Sequence, residues 1–256
     1  MLLLATLLVS SSWAIKRPQA STRNSIQVTS HNSPPLPLIT SDWSSIAQTE
    51  ETCMQCVQFF NVYLQEIIDI ITEYGVEESC SLICGHLNNS NARTTCTVLC
   101  DVIGVDKFWK IFLLDGINPI YACQMISTCP IGVDPAVDFQ SFAIAPKSGY
   151  PGQAFTMTLN FTVINATGTG QFTYVVFYCV NNSKYLYSQT FPNYTPGTYS
   201  VDFVFQTSDN GTFPFGAYPV QMFMCANECG TTTPYSVALN QSALIEFDLL
   251  EPQASL

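Results

Sequence analysis

The chain has 256 residues, with eight Lys and Arg against nineteen Asp and Glu and a formal net charge of −11. That balance argues against binding nucleic acid or anionic lipid by simple charge attraction. Eight of the eleven cysteines fall between residues 53 and 129, while residues 150–250 are rich in Thr, Tyr, Phe, Val and Gly, so composition divides the chain in two.

The N-terminal stretch "MLLLATLLVSSSWAIKRP" reads as a secretory signal, residues 1–14, with Ser12 and Ala14 at the −3 and −1 positions of the cleavage site. Its apolar run is far shorter than the ~20 residues that span a bilayer. No later segment is long enough either, and the polar end "LLEPQASL" lacks the hydrophobic tail of a lipid-anchor signal. Residues 15–50, including "HNSPPLPLITS", lack periodicity and read as a disordered leader or propeptide. Asn88, Asn160, Asn165, Asn181, Asn193, Asn210 and Asn240 all stand in N-x-S/T sequons. Such clustering favours a glycosylated, secreted protein, with a vacuolar or lysosomal destination as the alternative.

From Cys53 the apolar residues Cys56, Val57, Phe60, Tyr63, Leu64, Ile67 and Ile71 recur at three- and four-residue intervals, the stripe of an amphipathic helix about twenty residues long. Phe59, Val62 and Ile70 widen it, as burial on two sides requires. "VEESCSLICGHL" predicts a second helix, "NNSN" a turn and "ARTTCTVLCDVI" a third helix. Residues four apart share a helix face, so an antiparallel hairpin nests Cys84–Cys96 inside Cys80–Cys100. A zinc site needs converging thiolates kept reduced, and "CMQC", Cys53 to Cys56, lacks the preceding strand of a redox motif; secretory signals disfavour both. "NPIYACQMISTC" places Cys123 and Cys129 after a short helix led by Pro119. Pairing Cys53–Cys129 and Cys56–Cys123 would tie the two ends of this segment together.

The C-x2-C opening, long helix, central hairpin pair and proline-led last helix ending C-x5-C resemble a saposin B-type domain over residues 51–130. The extra pair Cys80 and Cys100 departs from the usual six cysteines. The resemblance implies a helical shell that can open onto lipid, with Phe108, Trp109, Phe112 and Leu113 of "VDKFWKIFLLDG" as lipid-contact candidates. A fully buried short helix accounts for that run equally well. Residues 51–130 carry nine acidic residues against Arg93, Lys107 and Lys110, unlike the cationic lytic members of that group. Acid-dependent lipid binding, through protonation of groups such as Glu66, Asp69, Glu73, Glu77 and Glu78, stays open.

From about residue 135 the period becomes two. "AFTMTLNFTVIN", "GQFTYVVFYCVN", "KYLYSQTF", "GTYSVDFVFQ", "YPVQMFMC" and "SALIEFDL" predict strands, and "FQSFAIAPKSGYPG" adds a candidate first one. The expected fold class is therefore α+β multidomain: an N-terminal disulfide-stapled saposin-like helical domain, 51–130, followed by a β-sandwich (immunoglobulin-like) domain, 135–250. Sequons 160, 165, 181, 193 and 210 are expected at strand ends or turns. Cys179–Cys225 would staple two strands and leave Cys229 unpaired; Cys225–Cys229 is the competing short loop.

Catalysis has little support. His31 lies in the leader and His86 beside a cysteine pair, so no Ser-His-Asp or Cys-His site is expected, and no cofactor or metal. In order, the signal peptide, helical module with its extra pair and Thr/Tyr/Asn-rich β region resemble the countin family of social amoebae. That resemblance implies a secreted subunit of a cell-counting factor complex that limits group size, with other subunits as partners and possible lipid contact. The alternative is a saposin-like lipid-binding or membrane-permeabilising effector of acidic compartments, with a lysosomal enzyme activator third.

Overall fold

A computed structural model describes residues 49–75, 78–178 and 183–251. The expected signal peptide, almost all of the leader with His31, and also Cys179 and Asn181, lie outside the described residues.

Helix α1 spans Glu50–Tyr74. Thr49 starts it: its hydroxyl accepts from the Thr52 N–H at 3.2 Å, and the Thr52 hydroxyl accepts from the Thr49 N–H, a reciprocal cap. Glu50 and Glu51 then lie in the first turn, where the helix dipole favours them. Cys53, Cys56, Val57, Phe60, Ile67 and Ile71 bury one face, while Phe59 and Ile70 bury a second. Ser79 caps Leu82 and starts α2 only at Cys80, so it is the six-residue Cys80–Gly85 and not the longer helix expected. Asn89 caps Asn91 and Ala92, which moves the start of α3 (Ser90–Ile103) ahead of the expected alanine. Gly104, at φ +83°, ends α3 and α4 (Val105–Phe112) follows. Asn118 caps α5 (Pro119–Met125), with the proline where its missing N–H costs nothing.

Among the described residues the β-rich region has nine strands: β1 Ala136–Ala145, β2 Ser148–Gly149, β3 Ala154–Asn165, β4 Gly170–Tyr178, β5 Ser183–Phe191, β6 Gly197–Gln206, β7 Gly216–Ala226, β8 Val237–Gln241 and β9 Ile245–Leu249. Strands β1-β3-β6 form one sheet; β2-β9-β7-β4-β5 form the other, with β8 also on β7. Alternate residues of β3, from Phe155 to Val163, point into an aromatic core with Phe172, Phe205, Tyr218 and Phe247. The short β2 and β8 carry too little period-two pattern to be read from sequence.

The expected fold class is not met. The helical and β-rich parts lie within one compact unit and touch directly. Thr169 N–H donates to Pro130 O at 2.9 Å, Ile131 bridges to Gly168, and Asn227 Nδ2 donates to Gln124 Oε1 at 2.7 Å. A saposin-like shell also fails as a description, because α1 is buried on two sides and α4 turns Phe108 and Phe112 into the same core, where the Phe60 and Phe112 rings meet at a tilt with centroids 5.5 Å apart. The immunoglobulin-like label rested on six or seven evenly spaced strands, whereas the described residues form nine, in sheets of three and six with β2 parallel to β9. What stands is a disulfide-linked helical N-terminal part joined to a β-rich C-terminal region.

The pairing Cys179–Cys225 is corrected by strand register. Antiparallel pairing sets Gln171 of β4 opposite Cys225, and Tyr178, the last described residue of β4, lies roughly 23 Å further along at ~3.3 Å per residue. Asn227, at φ +59°, instead turns the chain so that Cys229 returns to Cys225 with Cα atoms 5.4 Å apart. Cys229 is thus paired. Asn160 is a further correction, since it sits in the middle of β3 and not at a strand end.

Candidate functional site

Four cystines organise the helical part: Cys53–Cys129, Cys56–Cys123, Cys80–Cys100 and Cys84–Cys96. Cys53 and Cys56 share one face of α1 and meet α5 and the segment after it. Cys80 and Cys84 share the face of α2 that meets α3. Bonded sulfurs offer neither a thiolate nucleophile nor a metal ligand. His86 stacks on Tyr74 with ring centroids 4.0 Å apart, and among the described residues no three His, Cys, Asp or Glu gather as a metal site.

The four lipid-contact candidates divide. Phe108 and Phe112 are core residues, which accounts for the apolar run as a buried helix; Trp109 is half-buried, with the Lys110 amine 5.6 Å from its ring, and Leu113 is 60 % exposed. Among the described residues no helix is long and apolar enough to cross a membrane.

Between the helical and β-rich parts runs a buried polar seam that sequence reasoning missed. Thr169 and Asn227 are fully buried and Gln124 nearly so. The Thr169 hydroxyl lies 3.2 Å from Cys53 Sγ, its carbonyl accepts from the Asn227 N–H at 2.9 Å, and Gln124 Nε2 reaches Pro130 O at 3.4 Å. Each group that burial takes from water is repaid by a partner, so the seam holds the two parts in one geometry.

The Cys225–Cys229 loop extends the seam. Cys229 N–H donates to Gln171 Oε1 at 3.2 Å, and Ser236 and Thr231 hydroxyls both donate to Glu228 O. Burial holds the Glu228 carboxyl above the usual carboxylate range. The folded state therefore binds that proton more tightly than the unfolded state, and stability falls as pH rises from the unfolded value through the folded one. Glu228→Gln is expected to raise the melting temperature at pH 7 and to lose that gain near pH 4, by thermal unfolding at both values. Burial also pushes the Tyr174 and Tyr218 phenols up and, helped by Tyr185, raises Tyr187 to about 12, so these rings stay neutral packing elements.

The sequons are spread over several settings. Asn88, Asn193 and Asn210 are exposed, whereas Asn160, Asn165 and Asn240 are half-buried. Asn160 Nδ2 donates to Ser141 Oγ at 2.8 Å and Asn165 Nδ2 to Asp134 O at 2.9 Å. Asn240 lines a groove of about 300 Å³ between β1 and β8.

Comparison with known proteins gives matches to both parts. The chain matches the Countin N-terminal domain over residues 49–127 and the Countin C-terminal domain over residues 137–254. It is 46% identical over 199 residues to a countin-like protein of Dictyostelium discoideum, covering 78% of this chain and 56% of that one. It is 30% identical to Countin-2 of the same organism, covering 73% of this chain and 74% of that one, and 30% identical to Countin-1, covering 77% of each. The chain therefore spans little more than half the length of the countin-like protein. A solved DNA glycosylase, AlkC of Pseudomonas fluorescens, aligns with a TM-score of 0.39 at 13% identity over 67% of this chain and 52% of that one, a likeness too slight to bear on fold or function.

Proposed function

The chain belongs to the countin family, and from that premise we propose that it is a secreted, glycosylated signalling protein, a subunit of a cell-counting factor complex that limits group size. The observation that carries the reading is the match to both countin domains in order across residues 49–254. Secretion is supported by the N-terminal apolar run, the seven sequons and the cystine content.

Action by binding is supported by how the side chains are used. The described cysteines are in cystines, His86 stacks on Tyr74, and the buried amides of Gln124 and Asn227 are spent on each other. A net charge of −11 favours protein or carbohydrate partners over anionic surfaces. Lipid binding gains no support from α4, whose Phe108 and Phe112 are enclosed. The test is deletion of the gene in its own host, with group size as the readout: larger groups support the role and unchanged groups remove it.

A further inference from the structure

The groove between β1 and β8 lies where the two sheets come edge to edge. Among the described residues strand β1 pairs with β3 alone, and a bulge at Gln140 interrupts that pairing between Phe139 and Ser141. Bulges re-aim side chains and pull an edge strand out of line. Here the result is a groove of about 300 Å³, with Asp138, Phe139, Gln140, Phe142, Gln241 and Ile245 in its walls.

Asn240 is the member of that wall that carries a sequon, Asn240-Gln241-Ser242. Its carboxamide is held from both ends. The Gln241 N–H donates to Oδ1 at 2.8 Å, and Nδ2 donates across to Val137 O of β1 at 3.2 Å. The nitrogen that a glycan would modify thus faces β1 at the edge of the groove, one residue before Asp138 of its wall. At Asn193 and Asn210 the held atom is the amide oxygen, which accepts from Gly168 and Thr212, and both residues are exposed.

We infer that Asn240 carries an N-linked glycan whose first N-acetylglucosamine lies in this groove and bridges the two sheets. The inference rests on the secretory reading above. During translocation the Nδ2 amide displaces the diphosphate of a lipid-linked oligosaccharide donor: an N–C bond forms, the sugar C–O bond breaks, and one amide proton leaves. The remaining amide hydrogen can still reach Val137 O. One sugar residue fits the space, its hydroxyls and acetamido group matching the carboxylate and amides of Asp138, Gln140 and Gln241. Its apolar face is matched by Phe139, Phe142 and Ile245.

The full chain, made in a eukaryotic secretory host, is treated with a peptide-N-glycosidase that converts each released asparagine to aspartate, and every sequon peptide is read by mass. The expected result from the folded protein is release at Asn240 at least about tenfold slower than at Asn193 and Asn210, with the difference lost on denaturation. Equal rates in the folded protein, or an unmodified Asn240 beside glycosylated Asn193 and Asn210, overturn the inference alone. An absence of glycan at all seven sequons overturns it together with the secretory reading.

Discussion

Replacing Cys53, Cys56, Cys123 and Cys129 together by alanine is expected to lower the stability of the helical part by about 4–5 kcal/mol, the loop-closure estimate for chain lengths of this order. The two bridges close separations of 76 and 67 residues. They nest, so either one alone retains nearly the whole constraint. Removing one pair should therefore cost only ~1–2 kcal/mol, mostly through lost packing of buried sulfur. For Cys53–Cys129 that includes the contact of Cys53 with Thr169, 3.2 Å away in the seam. Urea unfolding of the three variants measures this directly. Additive single-pair losses would show that the bridges act independently, contrary to the nesting.

The second large effect is expected at Gly168. Its φ of +64° is a left-handed conformation, and a Cβ there would fall 2.2 Å from the Gly132 nitrogen and 2.8 Å from the Ile131 carbonyl carbon. Both obstacles are backbone, so neither can swing aside. Gly168→Ala is expected to cost roughly 3 kcal/mol or more, because it forces apart the segment that joins the helical part to the β region. Gly104 separates the two causes. It has φ +83° but nothing within 4 Å of an added Cβ, so Gly104→Ala should cost only about 1–2 kcal/mol. Similar melting temperatures for the two variants would deny the close approach at the seam.

Much of the local structure was legible because it rests on periodicity. The three- and four-residue spacing from Cys53 to Ile71 marks α1, and strict alternation from Phe155 to Val163 marks β3. Hairpin geometry also nests the cystines of α2 and α3 as the structure has them. Caps moved the boundaries: Ser79 and Asn89 choose where α2 and α3 begin, and a hydroxyl or amide in a polar stretch carries no periodic signal.

Tertiary relations were harder to read. The Gln124–Asn227 and Cys53–Thr169 contacts join residues 103 and 116 positions apart, and no local pattern links such side chains. For the same reason the buried polar seam between the helical and β-rich parts left no mark in the sequence. The run around Phe108 and Phe112 is apolar on nearly every side, and only the position of α1 shows that its aromatics belong to the core. Sequence leaves Cys225 a choice between Cys179 and Cys229, and strand register, which puts Gln171 beside it, decides for Cys229. The groove at Asn240 depends on one bulge, at Gln140, which sequence alternation does not mark.

The central claim is that a countin-family chain of this form limits group size as a secreted binding protein. Counting cells per group in a strain lacking the gene, with purified wild-type protein added back to the medium, tests it most directly. The account predicts larger groups without the gene and a return to wild-type size when the protein is supplied from outside. Groups of unchanged size in the deletion strain would contradict it.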